Sequence, residues 1–180
     1  MEFFDCAKTR RSVRRFTEEA VPVAVIEEIV GAAAYAPSWK NTQITRYTVV
    51  TDRALIDNMA ENMVLGFTFN EKSMKGAAAL VVVSYVTGRS GFERDGSYST
   101  PKGDGFEMFD AGIATQTFCL AAHDKGLGTV VLGYFDEEKI IPALNLPENQ
   151  KVAAVVAMGY PKFQPEAPAR KDVADLLTVL

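Results

Sequence analysis

Apolar residues recur along the chain at spacings that predict five helices. In residues 23–35 they return every three or four positions, which is typical of an amphipathic helix. Thr17, Asp52 and Asp136 precede the second, third and fifth helices, where a side-chain oxygen is able to cap free amides. Gly126 is predicted to end the fourth helix. Helices are predicted over residues 3–9, 23–35, 53–63, 106–125 and 137–144.

Four short segments rich in β-branched residues predict strands. Residues 78–86 are almost continuously apolar, which is expected of a strand buried on both faces. The other strands are predicted over residues 47–51, 129–132 and 152–158. Helices alternating with four apolar strands indicate an α/β (α+β) layer fold. Because two helical segments precede the first strand, the order differs from a doubly wound dinucleotide fold, which opens with a strand.

Two segments lack a regular pattern. Residues 87–105 are rich in glycine and form the one long predicted loop, and long loops in compact domains are often lids. The tail, residues 160–180, holds three prolines, then Arg170 and Lys171, then an apolar end. We expect this arm to lie across its own domain or across that of a partner, because it cannot pack by itself.

Composition narrows the class of protein. A chain of 180 residues with 48% hydrophobic and 23% charged residues predicts one globular domain over residues 1–180. The net charge of -4 disfavours non-specific binding to nucleic acid. The most apolar run, residues 77–83, is too short to span a membrane, and acidic residues interrupt the N-terminal region where a signal peptide would lie. We therefore expect a cytoplasmic protein.

Histidine and cysteine are too scarce for the common metal sites. His123 is the single histidine, and Cys6 and Cys119 form no CxxC pattern, so neither a multi-histidine centre nor a cysteine zinc site is predicted. The cysteine usage fits a reducing compartment. His123 is expected to lie in the last turn of a helix, where it satisfies carbonyl groups and takes no part in catalysis.

Five of the eight residues 8–15, here called the arginine segment, are basic. A concentrated cationic cluster on an acidic protein predicts an anion site, and arginine binds phosphate bidentately. Ser12 adds a hydroxyl donor. The alternative is a solvated basic face at the end of a helix.

Residues 36–43, here called the Pro–Ser loop, are polar and lie between a predicted helix and a predicted strand. Ser38, Asn41 and Gln43 offer hydroxyl and amide groups that suit the edge of a heterocycle, and Trp39 is placed to stack on it. An ordinary turn is the alternative interpretation.

Two further features are candidate binding elements. Gly126, Gly128 and Gly133 have the spacing GxGxxxxG after a helix and before a strand, which is not the dinucleotide fingerprint. Gly133, just past a strand, is better placed for close approach of a ligand to the backbone. Asn70 is polar within an apolar stretch, so it is either a ligand contact or a helix cap.

Taken together, these segments resemble the flavin-dependent nitroreductase family over nearly the whole chain. The landmarks are Arg10–Arg14 with Phe16, Ala36–Ser38 with Asn41 and Gln43, Gly126–Gly128 leading to Gly133 and Asp136, and Gly159–Pro161 followed by Arg170 and Lys171. The resemblance implies a three-layer fold with a central mixed sheet of four strands, helices on both faces and a C-terminal arm that crosses to the partner subunit.

The resemblance also implies FMN bound at a homodimer interface. The arginine segment would hold the phosphate and ribityl chain, the Pro–Ser loop would contribute across the dimer, and Asn70 would contact the polar edge or the ribityl chain. Residues 131–133 would lie against the ring near N5, and Arg170 would close on the phosphate. The implied cofactor-binding residues are Arg10, Arg11, Ser12, Arg14, Pro37, Ser38, Trp39, Asn41, Gln43, Asn70, Val131, Leu132, Gly133, Arg170 and Lys171.

The activity implied is reduction of nitroaromatic, quinone or similar small acceptors, with NADH or NADPH as a transient donor and hydride transfer through flavin N5. Arg14, or alternatively Lys72 or Lys75, would stabilise the negative charge of the reduced flavin. The chain departs from the family at Ile44–Thr45, where Pro-Trp is common, and at Tyr134, where a second glycine is common. Open alternatives are dehalogenation or enoate reduction on the same fold, or an FMN- or phosphate-binding module without turnover.

Overall fold

Four strands form the centre of the protein in the computed structural model, which describes residues 1–180. They are β1 (Thr45–Val50), β2 (Ala79–Val86), β3 (Gly128–Leu132) and β4 (Gln150–Gly159), in the order β1-β2-β4-β3. All three pairings between these strands are antiparallel, so the mixed sheet that was expected is not formed. Of the three isolated bridges outside these strands, only the one between Ser12 and Thr129 is parallel.

Six helices surround the sheet. They are α1 (Phe3–Thr9), α2 (Val23–Ala33), α3 (Arg53–Asn62), α4 (Thr68–Lys75), α5 (Gly105–Asp124) and α6 (Glu137–Ala143), with short 3-10 turns at Trp39–Asn41 and Val173–Asp175. Five of them lie where the sequence predicts helices. The sequence pattern missed α4, because its buried residues include the polar Asn70 and Ser73 alongside Met74.

The predicted helix ends were confirmed in part. Asp52 caps α3 by accepting the N–H of Leu55 at 2.8 Å. Thr17 does not cap α2, because that helix begins only after Pro22. Asp136 occupies the cap position of α6, but its side chain accepts none of the helix amides.

Gly126 ends α5, as predicted. It has a φ of 79°, and the amides of Gly126 and Leu127 return to the carbonyls of His123 and Ala122. This pair of bonds is a Schellman motif, which favours glycine at the left-handed position.

The sheet separates two apolar cores. Successive side chains of a strand point to opposite faces, so Leu80 and Val82 of β2 enter one core while Val81 and Val83 enter the other. The first core is closed by α3, α4 and α6, and the second by α2 and α5. Residues 79–85 of β2 are consequently all buried, which confirms the prediction for this strand.

The C-terminal tail is not covered by its own chain. It starts beside the arginine segment, where Lys162 donates to the carbonyl of Arg15 at 3.0 Å. Beyond Gln164 every residue except Pro165 is exposed. None of the helices combines the length and the hydropathy that crossing a bilayer requires.

Candidate functional site

The arginine segment is fastened to the edge of the sheet at β3. The N–H of Val13 donates to the carbonyl of Thr129 at 2.9 Å. Val13 and Phe16 are buried, and they pack directly over Gly128 and Gly159. A Cβ on Gly128 would lie 2.6 Å from the Cβ of Val13, so only glycine leaves room for the segment to lie this close. Ser12 and Arg14, on either side of Val13, are left exposed.

The cations of this segment are free to bind an anion. Arg10, Arg11 and Arg14 form no ion pair with any carboxylate of the chain. One terminal nitrogen of Arg11 donates to the carbonyl oxygens of Lys8 and Arg10, while its Nε is buried without a partner. Unpaired guanidinium groups beside a free hydroxyl, that of Ser12, form the donor set that a phosphate requires.

His123 lies next to this cluster. Its Nε2 is 2.9 Å from the hydroxyl oxygen of Thr9, at the end of α1. Burial, followed by the charges of Arg10 and Arg11, lowers the pKa of His123. The expected contact with helix carbonyls is therefore replaced by a side-chain hydrogen bond, and the neutral imidazole is favoured.

A pocket of about 380 Å³ opens where β3 ends. It brings together Arg14, Asn70, Val131, Leu132 and Gly133, five of the residues predicted from the sequence. The aromatic residues Phe67, Phe69 and Tyr134 complete its lining with Val130.

Asn70 shapes the rim of this pocket. Its side chain is 7% exposed, and Nδ2 donates to the carbonyl of Tyr134 at 3.0 Å. The backbone amides of Gly133 and Tyr134 donate to no acceptor within the chain. Both residues are exposed, so these two amides are available to a ligand at this edge.

Three aromatic side chains form a wall beside the pocket, which the sequence analysis did not identify as a unit. The ring of Phe67 lies edge-on to Tyr134 at 5.7 Å and 5.6 Å from the ring of Phe69. All three rings are exposed, Phe69 by 69%. The available signal was two phenylalanines at the start of a polar helix, and a tyrosine after a strand further along the chain.

The Pro–Ser loop forms a second patch. Pro37, Ser38 and Gln43 line a separate cavity of about 330 Å³ between the end of α2 and the start of β1. Trp39 instead packs against Phe106 with ring centroids 4.4 Å apart, and Asn41 is exposed.

The backbone of this loop is strained. Lys40, Asn41 and Gln43 have φ values of 47°, 55° and 49°, the left-handed region that favours glycine. This conformation costs roughly 1–2 kcal/mol per residue for side chains with a Cβ. Such strain accumulates at functional sites, and the surrounding structure must hold it in place.

The two patches lie at opposite edges of the sheet. The Pro–Ser loop leads into β1, whereas the arginine segment and Gly133 flank β3, three strand spacings away. Three spacings amount to roughly 14 Å. Arg170 and Lys171 belong to neither patch, because they lie on the exposed tail. One chain therefore does not unite all the predicted residues.

Asp110 is a site-lining residue that the sequence analysis missed. It lines the cavity beside the Pro–Ser loop, and it is 3% exposed. The available signal was Glu107 and Asp110, one turn apart in an otherwise apolar helix.

Comparison with known proteins identifies relatives along nearly the whole chain. The sequence profile of the Nitroreductase family matches residues 7–160. A protein of Archaeoglobus fulgidus with the provisional name NADH dehydrogenase/NAD(P)H nitroreductase is 34% identical over 165 residues, 88% of this chain and 86% of the relative. The iodotyrosine deiodinase of Nematostella vectensis is 25% identical over 202 residues, covering 99% of this chain and 75% of that one.

A similar solved structure contains a ligand. It is a provisionally named nitroreductase of Desulfovibrio desulfuricans in complex with FMN, with a TM-score of 0.80 and 29% identity. The similarity covers 98% of this chain and 95% of that one.

Proposed function

Because the chain belongs to the Nitroreductase family, we propose that it is an FMN-dependent NAD(P)H oxidoreductase that reduces nitroaromatic, quinone or similar small acceptors. The observation that carries this proposal is the set of residues found at the β3 edge of the sheet. There, unpaired arginines adjoin a pocket whose rim offers Asn70 and the free amides of Gly133 and Tyr134.

The residues at this edge fit the chemical parts of FMN. Arg10, Arg11, Ser12 and Arg14 supply the charged and hydroxyl donors for the phosphate and ribityl chain. Val131 and Leu132 offer apolar surface, and the amide of Gly133 offers a hydrogen bond. When bound, FMN supplies the two-electron chemistry, so the protein needs no acid–base triad.

Arg14 is the electrostatic stabiliser that the pocket supports. Arg14 lines the pocket, and a cation there favours negative charge that develops during reduction. Lys75 is engaged by Glu61 and Glu71 at 2.9 Å each, and neither Lys72 nor Lys75 lines the pocket. Phe67, Phe69 and Tyr134 offer flat apolar faces to planar reactants and reduce access of water.

A homodimer would supply the predicted site residues that one chain does not bring together. Two patches at opposite edges of one sheet suit a composite site, in which the partner supplies Pro37, Ser38, Trp39, Asn41 and Gln43. The exposed tail is long enough to act as an arm, and Arg170 and Lys171 on it would close on the phosphate. The apolar end of the tail is exposed in the single chain, and it would be buried against the partner subunit.

The protein as a whole is proposed to be a single domain, residues 1–180, whose arm begins near residue 160. Both cysteines, Cys6 and Cys119, are free and buried, which supports a reducing compartment such as the cytoplasm. The proposed partners are a second copy and small molecules, with no nucleic acid or membrane among them.

A second candidate reaction is reductive dehalogenation. It is supported by the similarity to iodotyrosine deiodinases, of which the Nematostella vectensis protein is 25% identical. Turnover of halogenated phenols in preference to nitroarenes and quinones would favour this alternative. A yellow protein with no turnover of NADH or NADPH would indicate a binding module.

The cofactor assignment is tested with Arg10→Ala and Arg14→Ala. Each variant should weaken FMN binding by roughly 10- to 150-fold, the loss of one charged hydrogen bond of about 1.5–3 kcal/mol. The matched control is Arg53→Ala, which removes an exposed pair with Asp57 on α3 and should leave FMN affinity unchanged. The measurement is FMN titration followed by visible absorbance. Wild-type affinity in both arginine variants would remove the phosphate assignment.

A further inference from the structure

The Pro–Ser loop is attached to the protein through a buried carboxylate that no step of the proposed reaction uses. We propose that Asp110, together with Ser90, is a positioning residue that holds this strained loop in the conformation it presents to the cofactor. The inference rests on the proposed function for what the loop binds, but the state of the loop is measurable without FMN.

The attachment is made at the main chain. Oδ2 of Asp110 accepts the N–H of Trp39 at 2.9 Å and the hydroxyl of Ser90. Asp110 is 3% exposed and Ser90 is fully buried. No cation of the chain pairs with this carboxylate, so two neutral donors hold a buried acid. Burying a carboxylate is unfavourable unless hydrogen bonds compensate for its lost hydration, and here the compensating donors belong to the segments it connects.

Internal bonds close the loop without attaching it to the rest of the protein. Ser38 accepts the amide of Gln43 through its hydroxyl at 2.9 Å, and its carbonyl accepts the amide of Asn41. The amide of Thr42 bonds to the carbonyl of Trp39. Among the main-chain groups of residues 37–43, only the N–H of Trp39 bonds to a distant element. This bond is therefore the main-chain anchor of the turn that holds the left-handed residues.

The anchor joins three separate parts of the chain. Asp110 lies in the second turn of α5, Ser90 lies in the loop of residues 87–104, and Trp39 lies in the Pro–Ser loop. Two further contacts support it, namely the Trp39–Phe106 ring pair and the exposed ion pair of Lys40 with Glu93. Exposed ion pairs contribute little. We therefore assign the positioning to Asp110 and not to Glu93.

The test compares Asp110→Ala with Asp110→Asn, Ser90→Ala and the control Glu93→Gln. Asn keeps an oxygen that is able to accept both hydrogen bonds, whereas Ala removes it. Trp39 is the only tryptophan, so its fluorescence reports directly on the loop in the FMN-free protein. Far-UV circular dichroism melts establish that each variant is folded.

In Asp110→Ala, Trp39 emission should shift to longer wavelength, and FMN affinity should fall roughly tenfold or more. Asp110→Asn should restore the wild-type emission and bring FMN affinity to within about threefold of wild type, as expected when the acceptor survives. Ser90→Ala should fall between them, and Glu93→Gln should match wild type.

Wild-type emission and FMN affinity in Asp110→Ala would overturn the inference. A loss in Asp110→Asn as large as in Asp110→Ala, in folded protein, would also overturn it, because charge and not the acceptor would then matter. If Asp110→Ala does not fold, Asp110→Asn and Ser90→Ala decide the question by the same measurements. If wild type binds no FMN, the proposed function fails, while the fluorescence comparison still tests the positioning.

Discussion

Replacing Gly128 by alanine should displace the arginine segment from the sheet. The added Cβ would lie 2.6, 2.7 and 2.9 Å from Cβ, Cγ2 and Cγ1 of Val13. Gly128 has no positive φ, so glycine is required here for space and not for its backbone conformation. Because Val13 is short, buried and tied to Thr129, the backbone must move to relieve the overlap.

The expected cost follows from this overlap. Adding a methyl group to a well-packed site destabilises a protein by about 1–3 kcal/mol. For a chain of this length, that corresponds to a fall in Tm of roughly 2–12 °C. FMN affinity should fall as well, because the same segment carries Arg10, Arg11 and Arg14.

Thermal unfolding by circular dichroism and FMN titration measure the two effects. Gly31→Ala is the matched control, since a Cβ at that position in α2 meets nothing within 4 Å. Because glycine is unfavourable within a helix, the Gly31→Ala variant should be more stable than wild type by about 0.5–1 kcal/mol. A double-mutant cycle with Val13→Gly should show favourable coupling, because removing the Val13 side chain removes the overlap.

The reasoning is refuted if Gly128→Ala melts at or above the wild-type temperature and binds FMN equally well. It also fails if the Val13 and Gly128 changes prove simply additive. Either result would mean that the arginine segment is not held by contact with this strand.

Three further outcomes are expected. Truncation before Asp172 should lower dimer stability and FMN affinity together, although Arg170 is retained. Analytical ultracentrifugation measures the dimer, and visible absorbance measures bound FMN. A truncated protein that stays dimeric and fully yellow at low concentration contradicts the arm assignment. The His123→Ala variant should still bind FMN and turn over. Loss of hydride transfer in a variant that is folded and FMN-bound would show that the protein contributes an acid or base. The lowered pKa of His123 means that the unfolded chain binds its proton more readily. Its contribution to stability is therefore present above the unfolded pKa near 6.5 and is lost as pH falls through the lower folded pKa. Urea unfolding between about pH 8 and 5 should show a smaller loss in His123→Gln than in wild type.

Local signals were sufficient for most elements. Apolar periodicity located five helices, and the continuous apolar run located β2, because both patterns reflect which side chains must leave water. Asp52 and Gly126 marked helix ends through bonds that form within a few residues. These contacts need no information from distant parts of the chain.

Helix α4 was missed for a reason that is not local. Its buried face includes Asn70, whose amide is satisfied by the carbonyl of Tyr134, 64 residues away. From sequence alone, a polar residue is predicted to be exposed, because the distant group that would satisfy its hydrogen bonds is not known. Asp110 was overlooked in the same way, because its partners lie on two other loops.

The amino-acid sequence alone revealed the chemical groups of the candidate site: a run of arginines with a serine, a polar loop before a strand, and a glycine after one. Where these groups lie relative to one another follows from the packing of the folded chain. Antiparallel pairing in the order β1-β2-β4-β3 carries the Pro–Ser loop and the arginine segment to opposite edges. Strand order depends on how the two apolar cores pack, which is a property of contacts between residues far apart in the chain.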